Sequence, residues 1–238
     1  MTNATSPAPI RNSSRVTTWR WIAAVLALSQ LAALFVTQAD LLVTLIMVLS
    51  AVTMLAVLRF GLGSWWETTL LVDASVVFAG FTVSMLVAAQ GWWWVSVAVL
   101  AAMVAALMHI TRLLVRRSHD LTCQRWLAVL ATGTFGLYLG WAGIAVFVNV
   151  AAALIDSGAP ATVVWWQLMV LVAAAGFAIA LARMLRGTPG YLVAVVWALA
   201  AITVDAAQRG STVLATTAVA AGLLVVVASV TAMRRPRI

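Results

Sequence analysis

The chain has no lysine. Its 238 residues carry 14 basic side chains, every one an arginine, against six acids and two histidines. Without lysine there is no Schiff base to retinal or pyridoxal phosphate and no catalytic amine. Cys123 is the single cysteine, so no disulfide forms within the chain and no multi-thiolate metal site exists. His109 and His119 are ten residues apart and lie outside any HEXXH or paired-cysteine spacing, so no metal site is expected. GxSxG, P-loop and strand-GxGxxG patterns are all missing. The sequence therefore predicts no catalytic centre, no cofactor and no enzymatic activity.

Charge is scarce as well. Only 8% of residues are charged and 65% are hydrophobic, whereas a soluble domain has about a quarter charged residues. Several apolar runs exceed the roughly 18 residues that cross a bilayer. The alternating ten-residue segments of an outer-membrane barrel are lacking. The expected fold is all-α: a polytopic membrane helix bundle embedded in lipid.

Eight runs are predicted to span: Trp19–Thr37, Leu41–Leu58, Thr68–Ala89, Trp93–Val115, Trp126–Ile155, Val163–Ala182, Gly190–Ala207 and Ser211–Met233. Residues 1–18 read as a disordered basic tail, 19–233 as the bundle and 234–238 as a basic C-terminus. Thr37-Gln38-Ala39 resembles a signal-peptidase site, but the next run begins almost at once, which favours a retained first helix. The net charge of +8 is no mark of nucleic-acid binding, because the arginines cluster at the ends of apolar runs. With both termini in the cytoplasm, thirteen arginines fall on that side and only Arg209 outside, an asymmetry that predicts N-in, C-in topology in the plasma membrane. The connections are short, so function must reside in the helices, at their mouths or with a partner. The sequence leaves homo-oligomerisation open.

The fifth run carries two unlike stripes. At 100° per residue, Gly133, Gly136, Gly140 and Gly143 fall within about 80° of one another. Four glycines in a helix cost on the order of 1 kcal/mol each relative to alanine, and close approach of another helix would offset that cost. Tyr138, Trp141, Ala145 and Asn149 lie on roughly the opposite side. An amide against lipid is costly, so either another helix or a ligand must satisfy Asn149. Ten of the twelve tryptophans sit near span ends, where an aromatic belt explains them. Trp141 and Trp197 lie inside their spans and are candidates for a cavity wall. Asp73 and Asp205 are intramembrane acids near enough to span ends for hydration, and Asp73 could reach Arg112. Glu67 and Asp156 are placed at the interfaces, where solvation suffices.

Tyr138-Leu139-Gly140-Trp141, followed by Ala145 and Asn149, resembles the fifth-helix signature of the TspO/MBR family, the tryptophan-rich sensory proteins. Trp197-Ala198-Leu199 matches a downstream segment of a longer bacterial branch, and the resemblance is strongest over residues 125–208. It implies a five-helix bundle around a pocket for tetrapyrroles or sterol-like molecules, here with three further helices. The family's Trp- and Pro-rich loop after helix one has no counterpart: Gln38–Asp40 is all that joins the first two runs, and no proline occurs between Pro9 and Pro160. Three readings follow. One is a sensor or carrier that binds a small amphipathic ligand (tetrapyrrole-, sterol- or isoprenoid-like) beside Tyr138, Trp141, Asn149 and Trp197. The second is a transporter or permease. The third is a structural subunit in which the glycines serve packing alone.

Overall fold

The computed structural model describes residues 13–33, 41–117, 123–185 and 188–234. Among them are eight helices: α1 (Ser13–Ala33), α2 (Leu41–Phe60), α3 (Glu67–Ala89), α4 (Trp93–Arg116), α5 (Arg125–Asp156), α6 (Val164–Met184), α7 (Pro189–Gln208) and α8 (Thr212–Met233). Seven are long and apolar enough to cross a membrane; α1 is not among them. The first predicted run, Trp19–Thr37, extends past Ala33 into residues outside those described, so α1 as described holds the polar SSRVTT segment without the last four residues of that run. It also begins at Ser13, inside the segment read as a disordered tail. Residues 1–12 and 235–238, together with Thr37–Ala39 and His119, lie outside the described residues.

Three of the turns share one design. Gly91, Gly158 and Gly210 have φ of 77°, 96° and 73°, the left-handed conformation that costs other residues more. At each, the following amide reaches back to a carbonyl of the last helical turn: Trp92 to Val87, Ala159 to Leu154 and Ser211 to Ala206. These glycine-terminated caps stop α3, α5 and α7 and reverse the chain within a few residues.

The helices cross in alternating directions, which gathers the arginine-bearing ends. Arg20 pairs with Glu67, Arg117 lies over Trp65, and Trp126 meets Phe60 edge-on. The 32-residue α5 is central: it packs against α2, α4, α6 and α7, while α1 packs against α2 and α3, and α8 against α6 and α7. Phe78, Phe81, Phe135 and Tyr138 fill the core between α3 and α5. Reporter fusions after Arg117 and Arg186 should read cytoplasmic, and one after Ser157 external. An external reading at either arginine loop would overturn the orientation.

Two sequence expectations are corrected here. Trp66 is not a belt residue but is buried in the core, while its neighbour Trp65 is exposed beneath Arg117. Asp73 pairs with His109 at 2.6 Å rather than with Arg112. Arg112 instead reaches the sulfur of Met184.

Candidate functional site: a cavity walled by α5 and α7

The glycine stripe sets the site's geometry by bringing α7 against α5. A Cβ added to Gly140 would stand 2.7 Å from both Ala194 Cβ and the Tyr191 carbonyl oxygen, and one on Gly136 would stand 3.2 Å from the Tyr191 amide. From the facing helix, a Cβ on Gly190 would come within 2.4 Å of the Gly133 carbonyl oxygen. Contact is therefore backbone to backbone over two turns. Gly143 is different, since a Cβ added there would meet the Phe177 ring of α6 at 3.5 Å.

Beyond Gly140 the two helices run on toward the arginine-poor end. The space between them is a cavity of about 390 Å³. Trp141, Ala145 and Asn149 of α5 line one side, Trp197 and Asp205 of α7 the other, and Leu42 of α2 contributes to the wall. Trp197 is 45% exposed, so its ring is accessible and not locked into the core. A second cavity of about 160 Å³ lies between α3, α4 and α5 and shares Trp141, Ala145 and Asn149 with the first. Those three side chains form the partition between the two spaces.

Tyr138 does not join them. Its ring is fully buried among Phe78, Phe81 and Trp141, and its hydroxyl accepts a 2.9 Å hydrogen bond from Gln30 Nε2. It lines neither cavity. Periodicity placed Tyr138 on the stripe correctly, but α3 and α1 cover that part of it. Gln30 was not singled out from the sequence; a lone amide in an apolar run was the available signal.

Asn149 is satisfied within the protein. Its Nδ2 donates to the Ala145 carbonyl at 2.9 Å, and its Oδ1 accepts from Ser96 Oγ at 3.0 Å. Of the two partners open to it, a helix is the one seen, with α4 supplying the hydroxyl. Asp205 bonds Arg209 at 2.9 Å, one turn further along the chain, and remains more than half exposed at the cavity's end. Trp141, Asn149 and Trp197 therefore come together, with Asp205 as a fourth member that the sequence marked only as intramembrane.

No chemistry of another kind is set up nearby. Among the described residues, no three His, Cys, Asp or Glu side chains could hold a metal ion. Burial pushes the Cys123 thiol above its ordinary value, so little reactive thiolate exists at neutral pH.

Fold and cavity together define a class: a polytopic helical membrane protein with an aromatic-walled cavity beside one long central helix. The chain belongs to the TSPO-like protein family, which matches residues 67–231. The match is wider than the 125–208 segment that carried the resemblance. It covers α3 through most of α8 and leaves α1 and α2 in front, where a five-helix unit with three helices following was expected. No curated protein and no solved structure gives a significant match.

Proposed function

We propose that this TSPO-like protein binds a small amphipathic ligand in the α5–α7 cavity, without enzymatic activity, as a sensor or carrier in the plasma membrane. The observation that carries this reading is the cavity itself. Its volume of about 390 Å³ lies within the range of small-molecule sites, and such sites combine apolar walls with a few placed polar groups. Two indoles, one amide and one carboxylate meet that description.

The experiment is tryptophan quenching of the purified chain by a sterol or a porphyrin probe. Saturable quenching is expected, with affinity reduced about tenfold in Trp197→Ala, a loss of roughly 1.4 kcal/mol, and with the melting temperature unchanged. Tyr138→Phe should do the reverse. It leaves binding intact but lowers stability by about 1 kcal/mol, because it removes the Gln30 hydrogen bond. Flat titrations with both probes would favour the structural reading, in which Ser96 holds Asn149 permanently.

A further inference from the structure

Among the described residues, Asp205 is the only charged one that lines either cavity, and it lies at one end. Trp197 is eight residues earlier on α7, about 12 Å along the axis at 1.5 Å per residue and on the same side of the helix. Along α5, Trp141 and Asn149 are displaced in the same sense, because α5 and α7 run parallel with Gly140 beside Ala194. The cavity is thus graded. Its inner end is indole and hydrocarbon, and its outer end carries a carboxylate and an amide.

The charged side chains described at the outer end are mostly acidic, although the N-termini of α2, α4, α6 and α8 also lie at that end. α5 ends at Asp156 and α7 at Gln208, so two helix C-termini, each with unpaired carbonyls and a partial negative charge, close the bundle there. Asp156 and Asp205 add two carboxylates. Among the described residues Arg209 is the only arginine at that end, and both its Nε and its Nη2 fall on one oxygen of Asp205, at 3.1 and 2.9 Å. Its side chain is otherwise mostly exposed, so it can swing into solvent when another cation arrives. An exposed pair of this kind contributes little to stability.

We propose that the ligand is a monovalent organic cation with a bulky apolar body. The cationic centre sits at Asp205 in place of Arg209, and the body lies between Trp141 and Trp197. Indole faces attract a cation electrostatically as well as offering apolar area, so both ends of the cavity favour the same charge. The Asp205 carboxylate disfavours an anionic group at its end of the cavity. This rests on the binding reading above and adds the charge and orientation of what is bound.

Tetraphenylphosphonium and tetraphenylborate test it, being nearly the same shape with opposite charge. The full chain is placed in phosphatidylcholine nanodiscs, and each ion is measured by equilibrium dialysis against empty discs, with a neutral sterol in parallel. Saturable phosphonium binding is expected, with no saturable borate binding. Asp205→Asn should weaken the phosphonium about tenfold, as loss of a charge-assisted contact does. Arg209→Gln should strengthen it severalfold by removing the competing cation. Each variant's melting temperature should match that of the parent. Phosphonium binding that ignores Asp205→Asn, or borate that binds as well, overturns the assignment of charge. Sterol binding that depends on Trp197 without phosphonium binding also overturns it while leaving the binding function standing. Absence of saturable binding by all three overturns both.

Discussion

Glu67→Ala is expected to destabilise the bundle by about 3–5 kcal/mol, the usual result of removing one partner of a buried ion pair. Glu67 is only 3% exposed, although it opens a helix at the end of the bundle. Its Oε1 accepts from Arg20 Nε at 2.6 Å, and its Oε2 accepts from the Leu62 and Gly63 amides, each at 3.1 Å. Alanine would leave the Arg20 guanidinium, three-quarters covered, without its counter-charge and the Leu62 amide without its acceptor. Glu67→Gln keeps a carbonyl oxygen for the amides and should lose distinctly less. Thermal unfolding in detergent, followed by size-exclusion fluorescence, ranks the parent, Gln and Ala forms. If all three melt together, the carboxylate is solvated and α1 is not fastened by it.

The second large effect belongs to the glycines, where the space beside each one decides the sign. Gly190→Ala should destabilise by about 1–3 kcal/mol, the range for overpacking a tight interior, because its new methyl meets backbone at 2.4 Å. Gly140→Leu should exceed that, since even a Cβ stands 2.7 Å from the Tyr191 carbonyl. Gly133→Ala and Gly176→Ala meet nothing within 4 Å. They should stabilise slightly, toward the roughly 1 kcal/mol by which alanine exceeds glycine in a helix. The same melting series reads all four. A uniform loss, or a uniform gain, would mean that α7 does not sit where Gly136 and Gly140 place it.

Much of this was legible without coordinates. The predicted runs from Leu41 onward agree with α2–α8 to within about two residues, because in lipid a span must satisfy its own backbone hydrogen bonds and its length is set by the bilayer. The family was legible too, from Tyr138, Trp141, Ala145 and Asn149 at helical spacing followed by Trp197-Ala198-Leu199. Depth and partnership were harder. Glu67 looked like an interfacial acid and Trp66 like a belt residue, since position near a span end is all that a linear pattern reports. Burial of each depends on α1 and on the loop before α3 folding over it.

The sequence by itself determined the helices, their order and their family, because these follow from local hydropathy and a motif confined to one helix face. Only the tertiary structure decided what each face meets. It divided one stripe of α5 between the core and a cavity, giving Tyr138 to Gln30 and α3 while leaving Trp141 and Asn149 beside Trp197 and Asp205. It also gave the glycine face two occupants, α7 at Gly136 and Gly140 and the Phe177 ring at Gly143. The reason is that lipid is as apolar as the side chains it surrounds. Hydrophobicity therefore cannot say which side of a membrane helix turns inward, and the steric fit between helices makes that choice.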